Sequence, residues 1–135
     1  PIMSVLKATE LRDACVVVVR YFGGVLLGAG GLVRAYSKSS ALAVDAAGVV
    51  VMSPTVRLRF ELAYPLWDRA QRLMESLPIQ VEDTRFTQVV QADLLTRLED
   101  LETVMDSLTQ QSEGRAVMEE LDRFHHGWPP GTEKA

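Results

Sequence analysis

The chain contains a single cysteine, Cys15, among 135 residues. No internal disulfide can form, so the fold rests on packing, and a reducing compartment is expected. Four valines, Val16, Val17, Val18 and Val19, follow that thiol. They predict a buried structural cysteine rather than a reactive one. Histidine is equally scarce: His125 and His126 stand side by side near the end, with no second cysteine to complete a zinc set. No apolar run approaches the roughly 20 residues that a membrane helix needs. The densest run, 14–19, has the length of a strand. Pro1 opens directly on amphipathic sequence, which predicts no signal peptide. The expectation is a cytoplasmic protein with no membrane partner. Repeats and low-complexity segments are absent.

What is present is ordinary for a globular protein: 47% of residues are hydrophobic and 24% charged, enough to bury a core. The net charge of −4 is unevenly spread. Residues 1–53 hold five Lys/Arg against three Asp/Glu, and residues 54–135 hold nine against fifteen. A polyanionic partner would therefore meet the first segment. The second has the charge of a solvated acidic surface.

The first segment reads as helix, strand, glycine loop, helix. Ile2, Val5 and Leu6 have helical spacing. The β-branched run 15–19 predicts a strand covered on both faces. Arg20, Tyr21 and Phe22 end it, and Gly23 and Gly24 break it. Gly28, Gly30 and Gly31 fall within one short loop, and a helix is predicted over 32–47, stopped by Gly48. Leu32, Ala35, Ser39, Leu42 and Ala46 form its small apolar face. Arg34 and Lys38, four apart, share another. These elements are too few to cover the run 15–19. The first domain is therefore expected to be truncated, its strand covered by an upstream piece or a second copy.

The second segment alternates Val56, Leu58, Phe60, Leu62 and Tyr64 with Thr55, Arg57, Arg59, Glu61 and Ala63, which predicts a half-buried strand. Pro65 suits the first turn of a helix over 65–77. Strands follow at 79–86 and around Val90, Ala92 and Leu94. Thr96 and Glu99 fit a capping box opening a helix over 97–111. Its expected stripe is Leu98, Leu101, Val104, Met105 and Leu108, and Gly114 closes it. A weaker strand over 115–123 completes a βαββαβ order, the ferredoxin-like split arrangement. Leu58, Phe60, Leu62, Leu73, Val90, Leu101 and Met105 are the expected core, with Trp67 and Met74 packed on the sheet. Residues 125–135, with Pro129, Pro130 and Gly131, read as a frayed tail. The fold class is α+β.

The informative motif is Arg20-Tyr21-Phe22-Gly23-Gly24, three residues, then Gly28-Ala29-Gly30-Gly31-Leu32-Val33-Arg34-Ala35-Tyr36. It resembles the signature of the IMPACT/YigZ family. The resemblance implies that residues 1–53 are the C-terminal part of the IMPACT-type N-terminal domain, a truncated α/β domain like one in a small-subunit ribosomal protein and in the GHMP kinases. It implies that 54–124 is a ferredoxin-like domain resembling the last domain of elongation factor G, followed by the tail. Upstream family sequence is not present in the chain. Val19 stands where threonine often precedes the arginine. Leu26 stands where many members carry lysine, which removes a cation.

A glycine-rich turn entering a helix presents backbone N–H groups, and the helix dipole favours an anion. Arg20, Arg34 and Lys38 supply charge, and Tyr21, Phe22 and Tyr36 are candidates to stack bases. The candidate nucleic-acid or phosphate site is therefore Arg20, Tyr21, Gly23, Gly24, Gly28, Gly30, Gly31, Arg34 and Lys38. The competing reading gives the glycines to tight turns, Phe22 to the core, and the cations to a solvated helix face. The loop is neither a Walker A nor a Rossmann motif. No catalytic residue, cofactor or metal ligand is identified. Ser37, Ser39 and Ser40 lack a partner histidine nearby in sequence. The acids Glu99, Asp100, Glu102 and Asp106 read as a solvated helix start.

The function expected from the family resemblance is translation-linked regulation, with ribosome or RNA binding through the basic first segment. Eukaryotic relatives act by protein contact in the response to amino-acid starvation. One alternative is a phosphate-binding enzyme related in fold to the GHMP kinases. Another is a protein-interaction or homodimerisation module using the open sheet face.

Overall fold

The computed structural model describes residues 1–24 and 26–131. Val25, within the signature, and 132–135, within the expected tail, lie outside the described residues. The chain divides into two compact units, Pro1–Val49 and Val50–Ala135.

In the first unit, helix α1 (Ile2–Ala8) packs against helix α2 (Gly28–Ala47). Alanine supplies much of α2 and favours the helix intrinsically. Its end is set at Gly48, whose N–H bonds Val44 O at 3.1 Å. Helix α2 begins four residues before the expected 32, so Gly28, Gly30 and Gly31 form its first turn rather than a loop. The expected strand over 15–19 is not formed: residues 12–22 belong to no helix or strand. A strand requires a ladder partner, and this unit contains none among its described residues. Cys15, expected to be buried, is exposed, as are Val17 and Val19. Within α2 only Ser40 is buried, while Ala35, Ser39, Leu42 and Ala46 of the expected apolar face are exposed.

The second unit runs β1 (Val51–Leu62), α3 (Tyr64–Ser76), β2 (Ile79–Phe86), β3 (Val90–Arg97), a 3₁₀ turn (Leu98–Asp100), α4 (Leu101–Gln111) and β4 (Val117–Trp128). The four strands form one antiparallel sheet in the order β2-β3-β1-β4. Pro65 lies in the first turn of α3, as expected. One sheet face carries Phe60, Leu62, Val90, Ala92 and Leu94. Trp67, Ala70 and Met74 of α3 and Val104 and Leu108 of α4 close over it in a single cluster. Both helices therefore cover the same face. Of the expected core, Leu58, Phe60, Leu62 and Val90 are buried, and Leu73, Leu101 and Met105 are half-buried. Leu98 is exposed.

Three boundaries differ from expectation. Strand β1 starts at Val51, four residues early. The capping box does not form, because Thr96 and Arg97 remain in the ladder, opposite Val56 and Thr55. The Thr96 hydroxyl donates to Arg97 O instead, and α4 starts after the 3₁₀ turn with no side-chain cap. The last strand runs on to Trp128, through residues expected to fray. Val51 and Met52 pair with Trp128 and Gly127. Trp128 is only 3% exposed, and its indole N–H donates to Thr55 Oγ1 at 2.9 Å.

Candidate functional site

The signature residues gather around the start of α2. Gly23 and Gly24 both have positive φ (93° and 79°), so the turn after Phe22 takes a backbone that other residues resist. Gly31 is required for a different reason: a Cβ there would fall 2.8 Å from Leu27 Cβ. The turn and the helix start enclose an open groove of about 700 Å³ between residues 18–23 and the first three turns of α2. Arg20, Tyr21, Gly23 and Gly28 line it together with Leu32, Ala35, Tyr36 and Ser39.

The Arg20 guanidinium carbon lies 4.5 Å from the Phe22 ring centroid and 6.0 Å from that of Tyr36. This cation–π arrangement holds the charge at the groove wall. The first turn of α2 has no side-chain cap, which leaves its amides available. Arg34 extends back along the helix, its Nη1 3.5 Å from where a Gly30 Cβ would lie. Neither Arg34 nor Lys38 lines the groove; Lys38 is exposed further along α2. No ion pair among the described residues engages Arg20, Arg34 or Lys38. Tyr21 is 98% exposed, and Phe22, which one sequence reading gave to the core, is exposed as well. Leu32, Ala35 and Ser39 were legible as one helical face but not as part of the site.

The sheet of the second unit carries arginines of a different kind. Arg57 donates from Nη1 to Asp122 Oδ2 at 2.6 Å and from Nε to Glu82 Oε2 at 2.8 Å, and it lies 4.6 Å over the Phe124 ring. Hydrogen bonds to these two carboxylates raise its pKa further. Arg85 Nη2 and Arg59 Nε converge on Asp93 Oδ1 at 3.0 and 3.1 Å. Arg97 is buried, 4.5 Å over the Trp128 ring and 3.9 Å from Asp100. Gln80 on β2 and His126 on β4, the two edge strands, meet at 2.9 Å across the same face. The face not covered by the helices thus carries a paired, part-exposed charge network.

The hydrogen bond from Arg85, aided by Arg59, holds the Asp93 carboxyl below the usual carboxylate range. A depressed folded-state pKa contributes stability above the unfolded value, about 3.9. That stability is lost as pH falls through the lower folded value. Asp93→Asn is therefore expected to be less stable than the parent at pH 7, with a smaller stability loss below about pH 4. Urea melts across pH 2–7 measure this, and identical acid profiles would exclude Asp93 as a contributor.

The comparisons with known proteins fall on both units. The Impact N-terminal domain model matches residues 1–44. The model described as Domain of unknown function (DUF1949) matches 60–115. YvyE of Bacillus subtilis, an IMPACT family member, is 28% identical over 120 residues, which cover 89% of this chain and 55% of that protein. An IMPACT family member of Haemophilus influenzae is 30% identical over 122 residues, 90% of this chain and 59% of its own length. YigZ of Escherichia coli is 50% identical over 36 residues, 27% of this chain and 18% of its own length. The chain belongs to the IMPACT family. It spans little more than half the length of the first two of these relatives.

Proposed function

We propose that this chain is part of a cytoplasmic, translation-linked regulatory protein that binds ribosomal RNA through its first unit. The observation that carries this reading is the contrast between the cations near the start of α2 and the arginines of the sheet face. On the sheet face Arg57, Arg59 and Arg85 are already engaged by carboxylates, whereas among the described residues Arg20, Arg34 and Lys38 enter no ion pair; Arg20 and Arg34 lie by an uncapped helix start with Tyr21 exposed, and Lys38 follows further along the same helix. Phosphate oxygens suit the amides and the cations, and a base suits Tyr21. The site is read as Arg20, Tyr21, Gly23, Gly24, Gly28, Gly30, Gly31, Arg34 and Lys38.

The first unit is read as part of the family's ribosomal-protein-like α/β domain. The exposed valines of 15–19 and the greater length of the relatives support that reading. The second unit is read as a ferredoxin-like domain resembling the last domain of elongation factor G. Its βαββαβ order, its strand order and its one-sided helices support this.

Co-sedimentation of the full-length protein with ribosomes across a salt series tests the function. Binding is expected to fall steeply with salt. The double variant R20A/R34A should bind more weakly, with the log–log salt slope reduced by about 2. Circular dichroism should show unchanged folding. No sedimentation at low salt, or unchanged affinity in the folded variant, would refute the proposal.

A further inference from the structure

Strand β2 is an edge strand, paired on one side only, with β3. Its register with β3 shifts between Val81 and Asp83, leaving Glu82 as an inserted residue. The insertion changes the alternation of the strand. Ile79, Val81 and Thr84 all line a groove under α3, while Gln80, Glu82 and Arg85 bond across the other face. The groove, of about 360 Å³, has Trp67 and Met74 of α3 on one side and Ile79 and Val81 on the other, with Leu77 between. That is the lower end of the range for ligand pockets. Val81 is 49% exposed, an apolar residue at an edge where charge is usual. Glu75 of α3 also lines the groove and enters no ion pair among the described residues, and no Lys or Arg lines it.

The geometry points to a docking site for an extended, basic segment of a partner protein with alternating apolar side chains. Such a segment adds a short strand to β2 through main-chain hydrogen bonds. One of its apolar side chains enters the groove beside Trp67 and Met74. Its basic side chains alternate to the opposite face, the one on which Glu82 of β2 lies. The charge complement is the local field of Glu75 and Glu82 within a segment, residues 54–135, that carries a net −6, a field that draws basic segments inward. This site is independent of the RNA reading, which concerns the first unit.

The test is a heteronuclear NMR titration of the full chain with a hexapeptide alternating lysine and leucine. Saturating shifts are expected at the amides of 79–84 and at the Trp67 indole, with slower hydrogen exchange along the free edge of β2. The same peptide N-methylated at its lysine amides should lose binding. Glu75→Lys, an exposed change, should weaken affinity about two- to fivefold. Equal binding of a glutamate–leucine hexapeptide would overturn the proposal. So would shifts confined to the acidic residues of β4, or concentration-dependent shifts at 79–84 without peptide, which would mark a second copy as the occupant.

Discussion

Phe60→Ala is expected to lower the unfolding free energy of the second unit by about 3–5 kcal/mol. Phe60 is fully buried at the centre of the cluster, between Ala92 on β3 and Met118 on β4 in register. Both helices close over that cluster, so the surrounding backbone has little freedom to collapse into the void. A loss of this size is a large share of the roughly 5–15 kcal/mol that stabilises a domain. Both tryptophans, Trp67 and Trp128, lie in this unit. Fluorescence-monitored urea unfolding therefore reports it directly. A cost below about 1 kcal/mol would place Phe60 outside the packed core.

Trp128→Ala is expected to cost about as much, roughly 3–5 kcal/mol, although it lies near the end of the chain. The indole is buried, donates to Thr55 Oγ1, lies under the Arg97 guanidinium, and meets the His126 ring edge-on at 5.4 Å. Removing it leaves a void and opens a buried charge to rearrangement. Trp128→Phe keeps an aromatic face against Arg97 and loses the N–H donor. It should cost closer to 0.5–1.5 kcal/mol. Guanidinium melts of the two variants, monitored by circular dichroism, give both numbers. A neutral Trp128→Ala would restore the reading of 125–131 as a frayed tail.

That residue also shows where sequence patterning stops being informative. Strand β1 is legible because Val56, Leu58, Phe60 and Leu62 keep period two without interruption, and the sheet obeys it. Helix α3 is legible because Leu66, Ala70, Leu73 and Leu77 recur at helical spacing after a proline, although its buried residues are Trp67, Ala70 and Met74. Strand β4 is not. Its register with β1 shifts between Arg57 and Leu58, so that Asp122 and Glu120 are opposite neighbours in β1 and Leu121 is left over. The inserted residue breaks the alternation, and the polar residues Glu119, Glu120, Asp122, Arg123, His125 and His126 hide what remains. The capping box fails for a related reason: a local signal at Thr96 competes with ladder pairing to Val56 and loses. At the candidate site the glycine signature was legible as a turn into a helix. The helix start at Gly28 was not, since three glycines in four residues disfavour a helix on propensity alone. The cation–π contact of Arg20 with Tyr36 depends on two segments meeting, which no local pattern encodes.

The pairing of β1 with β4 also affects the order in which the unit is assembled. Residues 51–62 must wait for residues 117–128 before their second edge is covered. During synthesis β1, α3, β2 and β3 emerge first, and β1 then serves as an unguarded outer strand. Contacts so distant in sequence slow the search for the native state, since loop closure precedes any gain from pairing. A chain paused between Gln111 and Val117 leaves one edge of β1 unpaired, an invitation to intermolecular association. The last dozen residues of the sheet thus act as the closing step of folding.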